Sequence, residues 1–377
     1  MMHPLRGRVV ALMQAAGLQP GGPGECDPQV ADTRFYGRVL REGSLGLGES
    51  YMDGWWTVGS LDGMLFRLME HGVDDRVHGL HARLDDLRAF LLNLQSGRRA
   101  LAVGERHYDL GNDLFEAMLG KRLVYSCAYW REARDLDAAQ EAKLDLVCRK
   151  LGLRPGMRVL DIGCGWGEAL KFAAERHGVS GVGVTISREQ ADYARRLCAG
   201  LPIDIRLQDY RALDGASDDS RFDRIFSIGM FEHVGAKNYR AYFEVARRCL
   251  KGPHDLFLLH CIGNNVSVRH TDPWIARYIF PNSMLPSAQQ VADASEGLFV
   301  MEDWHNFGAD YDLTLQAWRA NIEAAWASLP ARYDERFRRM WRFYLAASMA
   351  AFRARRIQLW QVVYSPHGVP GGYVAPR

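Results

Sequence analysis

Residues 159–167 read VLDIGCGWG, and this string limits the chain to a small set of folds. An apolar strand (Arg158–Ile162) runs into three glycines at alternate positions, Gly163, Gly165 and Gly167, and a helical stretch follows at Glu168–His177. Glycine permits a tight turn and lets backbone approach a ligand closely. Strand, glycine turn and helix in that order open a βαβ unit, which belongs in a parallel sheet. The chain keeps this alternation. Further strands are expected at Gly181–Thr185, Ile203–Leu207, Arg224–Ile228 and Leu256–Cys261, with helical stretches between them. Gln358–Tyr364 closes as a last strand.

The glycine spacing separates ligand types. A dinucleotide turn reads G-x-G-x-x-G and sets a pyrophosphate on a helix N-terminus. Here the spacing is D-x-G-x-G-x-G, which resembles motif I of class I methyltransferases, whose ligand has no pyrophosphate. A glycine turn that only packs a helix on a strand is the plainer alternative, and the later strings weigh against it. The second strand ends GVTISREQ (183–190), with Thr185 where many such folds place an acid for ribose hydroxyls. Thr185 or Gln190 can bond a ribose; Ser187 with Gln190 also reads as a helix cap, and both readings can hold together. After the third strand, Gln208, Asp209 and Tyr210 put an acid beside an aromatic, a pair able to hold adenine by its amino group and its face.

Residues 1–100 read as helical, with Leu84, Leu87, Phe90, Leu91 and Leu94 on one face of Ala82–Ser96 and Arg83, Arg88, Arg98 and Arg99 nearby. A Gly/Pro cluster (Gln19–Gly24) ends the first helix, and GSLGLGESYMDG (43–54) reads as irregular, leading into Trp55 and Trp56, which suit a lipid–water interface. The stretch Asp272–Asp312 reads as irregular and aromatic. A long helix is expected over Asp334–Arg356, with Phe337, Met340, Trp341, Tyr344, Leu345, Met349 and Phe352 on one face and Arg338, Arg339, Arg342 and Arg353 on the other. A net charge of +2 on 377 residues gives no global field for nucleic acid. The seven cysteines are scattered and form no CxxC pair, which argues against a zinc site or a disulfide framework and leaves no metal expected. No run approaches the length of a membrane-spanning helix, so a reducing cytoplasm is the default expectation.

Long strings elsewhere are more specific than the glycine turn. GESYMDGWW (48–56), HYDLGNDLF (107–115), YSCAYW (125–130), LQDYR (207–211), GMFEHVGAKNY (229–239), LLHCIG (258–263), DPWIARYIFPN (272–282), HNFGADYDLTLQAW (305–318) and FRARRIQLWQVVYS (352–365) follow in order over nearly the whole chain. With VLDIGCGWG and GVTISREQ, they resemble the cyclopropane-fatty-acyl-phospholipid synthases. That resemblance implies an α/β class I methyltransferase fold, a Rossmann-like, mostly parallel seven-stranded sheet with a smaller helical N-terminal domain. It places a lipid-handling domain at 1–100 and the catalytic domain at 101–377. It implies transfer of a methyl group from S-adenosylmethionine to a cis double bond in a phospholipid acyl chain. Proton loss then closes a three-membered ring, with bound bicarbonate as the base. The residues matching the ion site are Cys127, Glu232, His260, Ile262 and Tyr311. Those matching the cofactor contacts are Tyr125, Ser126, Gly163, Gly165, Gly167, Thr185, Ile186, Gln190, Asp209 and Tyr210, with Gln208 beside them. The partners implied are unsaturated phospholipid in the bilayer, the inner membrane surface touched peripherally, and a second copy of the chain. Two positions depart from the family pattern: Glu168 where relatives often have Gly, and Ser348 where they often carry a cysteine.

The chemistry suits these residues. An alkene is a poor nucleophile, so it must be aligned with a strong electrophile in a dry pocket. A small exchangeable anion can take the proton beside a carbocation without loss of a side chain to alkylation. His260 and Tyr311 can donate to bicarbonate and ionised Glu232 can accept from it, while Cys127 and Ile262 offer mainly backbone groups. Tyr125, Tyr129, Phe280 and Tyr311 are candidates to favour the cation. Each residue alone has a plainer reading: Glu232 with His233 as a helix cap or surface pair, His260 as a satisfied core histidine, Cys127 and Tyr311 as packing. The strings around all five favour the shared site. An amine or phenol methyltransferase on the same fold is the main rival, since it needs no ion site. A lipid-binding protein with a degenerate cofactor fold is the non-enzymatic one. A nicotinamide dehydrogenase fails on glycine spacing.

Overall fold

The computed structural model describes residues 3–73, 111–268 and 271–377. The helix expected at Ala82–Ser96, its neighbouring arginines and the start of HYDLGNDLF lie outside them.

Apolar alternation builds the sheet. Strands β3 (Arg158–Ile162), β4 (Ser180–Thr185), β5 (Ile203–Leu207), β6 (Arg224–Ile228) and β7 (Leu256–Asn264) pair in parallel, while β8 (Val300–Asn306) and β9 (Ile357–Ser365) complete a seven-stranded order β5-β4-β3-β6-β7-β9-β8. β9 runs antiparallel to both neighbours, in the register Ile262↔Leu359 and His305↔Gln361. Alternate residues serve opposite faces. Leu160, Ile162, Ile225, Phe257 and Leu259 pack in one cluster with Tyr242 and Phe243 of α9 (Tyr239–Cys249) and Val291 of α11 (Ala288–Ser295). Val159, Phe226 and Leu258 pack in another with Leu144 of α6 (Leu136–Lys150), Leu170 of α7 (Glu168–His177) and Ala194 of α8 (Arg188–Leu197). Strands covered on both faces read as continuous apolar runs, which is why they were legible. Chain order reverses between β3 and β6, and ligands of such sheets sit outside the strand ends at that point.

The remaining helices share one further core. It joins α1 (His3–Ala15), α2 (Arg34–Glu42), α3 (Ser44–Met52) and α4 (Leu61–Glu70) to α5 (Asn112–Leu119), α10 (Pro273–Tyr278), α12 (Ala309–Ala325) and α13 (Glu335–Arg353). A short ribbon pairs β1 (Gln29–Val30) with β2 (Trp56–Thr57). The arginines of α13 fasten it to the N-terminal helices. Arg339 donates to the Trp56 and Tyr51 carbonyls, and Arg353 bridges Asp62 of α4 and Asp312 of α12.

Three expectations need correction. GSLGLGESYMDG is not irregular: it forms α3. Two of its glycines are there for contact: a Cβ on Gly48 would lie 2.4 Å from the Trp274 ring, and one on Gly46 2.5 Å from the Arg38 carbonyl oxygen. Trp56 does not sit at an interface; it is wholly buried, its indole donating to Ser50 Oγ at 3.0 Å, while Trp55 is half-buried under Arg34 and Arg38. Asp272–Asp312 is ordered, holding α10, α11, β8 and the start of α12. β8 was hidden because it is an edge strand of polar sequence, VMEDWHN, with no face fully covered.

Candidate functional site

Two adjoining cavities open at the C-terminal ends of β3, β4 and β6. The first is lined by the glycine turn, by Tyr125 and Ser126, by Thr185, Ile186 and Gln190, and by Gln208, Asp209 and Tyr210. The turn is left-handed at Gly163 (φ 91°) and Gly165 (φ 53°); Gly165 lines the cavity, and a Cβ placed on it would meet no atom within 4 Å. Gly167 (φ 90°) is the exception among the expected residues. It does not line the cavity but begins α7, where a Cβ would meet that of Ala194 at 2.9 Å.

The polar residues are already organised. Ser187 accepts from the Gln190 amide at 3.3 Å as the helix cap, while the Thr185 hydroxyl donates to Gln190 Oε1 at 2.9 Å. Cap and cavity wall therefore coexist in one turn. Asp209 caps the short turn at Tyr210–Ala212 and pairs with Arg211 at 2.9 Å; Tyr210 is buried with its ring edge-on to Tyr242. Glu168, the departure from the family pattern, is buried at the first position of α7 and pairs with Arg122. Burial pushes its carboxyl up, against the pull of that arginine.

Sequence reasoning passed over two charges in this cavity. Asp161, the residue that opens the glycine motif, is buried with Oδ1 unpartnered among the described residues. Burial raises its pKa well above the usual carboxylate range, with Lys143 opposing. Lys143, from α6, is wholly buried and donates to Ser126 Oγ at 2.8 Å. Asp161 was written in the motif; Lys143 gave no signal, since a lysine in LDAAQEAKLDLVCRK reads as solvated.

The second cavity is apolar and holds about 820 Å³, within the roughly 300–1,000 Å³ of ligand sites. Val9, Met13, Val39, Leu65 and Leu68 of the N-terminal helices form part of its wall, with Phe343 and Ser348 of α13 and with Glu232, Ile262 and Tyr311. Tyr125, Gly229, His233 and Phe280 line both cavities, so the two meet there.

The expected ion-site residues divide into two groups. Glu232, Ile262 and Tyr311 line the large cavity; Cys127 and His260 are buried behind it. Glu232 sits in a tight turn after β6, and its Oε1 accepts the Ile262 amide at 2.7 Å. The Ile262 N–H is thus spent on the carboxylate and acts through it. Glu232 Oε2 and His260 Nε2 are buried and lack partners among the described residues. Gln361 Nε2 lies 3.3 Å from His260 Nδ1; donating there, it puts the ring's own proton on Nε2, which becomes a donor. Burial raises the Glu232 pKa to about 7 and lowers that of His260 well below its ordinary value. A buried acceptor and a buried donor without partners, near Ile262, fit a small anion carrying a hydroxyl. The Cys127 thiol turns away, to the Ala128 carbonyl at 3.2 Å. Of the expected aromatics, Tyr125, Phe280 and Tyr311 line the cavity, whereas Tyr129 packs on Phe307.

The open turn at Gly165 and the ionisable pair Asp161 and Lys143 fit a ligand with an adenosyl end and a zwitterionic end. Comparison with known proteins agrees. Residues 95–362 match the family model described as mycolic acid cyclopropane synthetase. The chain is 54% identical over 369 residues to the cyclopropane-fatty-acyl-phospholipid synthase of Escherichia coli K12, covering 97% of this chain and 94% of that one. It resembles the solved cyclopropane synthase MmaA2 from Mycobacterium tuberculosis (30% identity, TM-score 0.64, 70% of this chain and 98% of that one). It also resembles mycolic acid cyclopropane synthase CmaA1 in complex with SAH and CTAB (32% identity, TM-score 0.64, 70% and 98%). The chain belongs to the mycolic acid cyclopropane synthetase family of S-adenosylmethionine-dependent methyltransferases.

Proposed function

We propose that this protein converts the cis double bond of a phospholipid acyl chain into a cyclopropane ring, with S-adenosylmethionine as the carbon donor and bicarbonate as the base. The observation that carries the reading is the junction of the glycine-turn cavity with a large apolar one at Tyr125, Gly229, His233 and Phe280. A methyltransferase for small amines has no use for an apolar cavity of about 820 Å³. The likeness to the Escherichia coli synthase over nearly the full length of both chains supports the phospholipid substrate.

When bound, S-adenosylmethionine supplies an electrophilic methyl and bicarbonate a small exchangeable base. The chain's own residues do the rest. The large cavity keeps the acyl chain dry and aims its double bond at the junction. Attack of the alkene's π pair on the methyl carbon would be matched by breakage of its C–S bond, the electron pair leaving on the thioether sulfur of S-adenosylhomocysteine, and positive charge would be left on the other alkene carbon. The ring faces of Tyr125, Phe280 and Tyr311 stabilise that charge. Ring closure uses the electron pair of a C–H bond on the new carbon, so one proton must leave. Glu232, as acceptor, and His260, as donor, hold the anion that receives it.

The N-terminal helices supply the lipid-handling wall, and the protein works from the bilayer surface. None of the described helices is long and apolar enough to cross a membrane, yet the cavity needs a chain drawn from one. Incubation with S-adenosylmethionine and phospholipid vesicles tests the substrate class. Release of S-adenosylhomocysteine is expected with cis-unsaturated vesicles and not with fully saturated ones. Release with small amines and with neither vesicle would establish the rival amine methyltransferase instead.

A further inference from the structure

Lys143 is a wholly buried amine, and its ammonium form is costly to bury unless it is compensated. Its compensation among the described residues is slight. An ammonium has three donors, and among the described residues Lys143 Nζ makes one hydrogen bond, to Ser126 Oγ at 2.8 Å. It also lines the cofactor cavity, beside Ser126, Asp161 and Gly163. Because Ser126 Oγ accepts from Lys143, the hydroxyl's own proton is directed elsewhere. Across the same cavity Asp161 carries an unpartnered oxygen. One end of S-adenosylmethionine is an amino acid, with an ammonium and a carboxylate on one carbon. A buried amine that can take up a proton and a buried acid that can release one, in one cavity, match that pair of charges.

We propose that Lys143 is a positioning residue for the carboxylate of S-adenosylmethionine, turning the Ser126 O–H towards it and placing a counter-charge beneath it. This rests on the cofactor reading above. A lysine can sit in the apolar core beside the pocket because the ligand completes its environment. Titration should follow. Burial lowers the Lys143 pKa to about 7, with Cys127 and Asp161 opposing. Other groups that face it are His260, whose pKa Lys143 lowers, and Asp161. Near pH 8 the lysine is largely neutral in the free protein, and an arriving carboxylate draws a proton onto it. Binding is therefore linked to proton uptake.

Calorimetry of the full chain with S-adenosylmethionine and with its decarboxylated analogue, at pH 8 in buffers of different ionisation enthalpy, tests this. Any proton change at Asp161 is common to both ligands, because both carry the amine. The wild-type protein should take up more protons with S-adenosylmethionine than with the analogue, and Lys143→Met should abolish that difference. Lys143→Met should also weaken S-adenosylmethionine binding roughly 10–100-fold, as expected for a hydrogen bond to a charged group, and the analogue's binding by less than about twofold. The double variant Ser126→Ala/Lys143→Met should lose less than the two single losses combined, since the two groups act in series. Equal weakening of both ligands, or equal proton uptake by the wild type with both, would overturn the proposal. The proton measurement on the wild type holds even if Lys143→Met does not fold. Failure of the wild type to bind either ligand would instead strike the cofactor reading.

Discussion

Replacing Glu232 by glutamine should nearly abolish turnover and, at pH 8, make the protein more stable. Both effects come from one carboxylate. Its Oε1 takes the Ile262 amide, and its Oε2 is buried without a partner among the described residues. In the variant the amide oxygen keeps the Ile262 contact, and the NH₂ group faces the anion with donors where an acceptor is needed. Turnover should fall by roughly 10²–10⁴-fold, the usual range for a group that serves proton transfer. Cofactor affinity should stay within about twofold, because the lost interaction belongs to the reacting state. The stability gain follows from linkage. Burial raises the folded pKa to about 7 from 4.5, so the folded state holds this proton more tightly than the unfolded chain does. Its contribution to stability is complete below about pH 4.5 and is lost as pH rises to about 7. Above that the ionised group costs about 3 kcal/mol. The neutral amide of the variant carries no such cost, so denaturant unfolding should favour the variant at pH 8 and show no gain near pH 4.5. Wild-type turnover should rise with pH through about 7 as the acceptor ionises. A variant with near-normal turnover and unchanged stability at pH 8 would contradict this role.

Gly165→Val should remove cofactor binding while leaving the fold in place. At φ 53° Gly165 lies in the left-handed region, which a β-branched residue adopts only with strain. That strain is of order 1–2 kcal/mol. No atom lies within 4 Å of a Cβ placed there, so the folded protein accommodates the branch and the ligand does not. Gly163 provides the contrast. At φ 91°, with Met230 side-chain atoms 2.6 Å from a Cβ, any substitution there should lower thermal stability as well. Calorimetry with S-adenosylhomocysteine and thermal unfolding of both variants separate the two effects. Unchanged ligand affinity in Gly165→Val would mean that the cofactor does not approach this turn.

The central parallel strands β3, β4, β6 and β7 could be read from sequence because both faces of each are largely covered, leaving near-continuous apolar runs. β8 could not, since an edge strand needs no such run, and VMEDWHN shows none. α3 was obscured by glycines, which lower helix propensity; the reason for Gly48 is the Trp274 ring, far away in sequence. The cofactor turn was legible because its glycines must lie in sequence order on one turn. The division of the ion site was not: alternation sets His260 and Ile262 on one side of β7, but their depth relative to the cavity depends on packing. Lys143 was invisible for a related reason. A lysine is normally solvated, and only the tertiary structure places this one beneath Ser126.

The central claim is that the transferred carbon becomes part of a ring, and isotopic labelling of that carbon tests it most directly. The protein should be incubated with cis-unsaturated phospholipid vesicles and S-adenosylmethionine whose methyl is fully deuterated, and the released acyl chains weighed. Ring closure removes one hydron from the new carbon, so a saturated cyclic product should retain two of the three deuterons. Retention of all three, in a methyl-branched chain or on a headgroup nitrogen, would contradict the account.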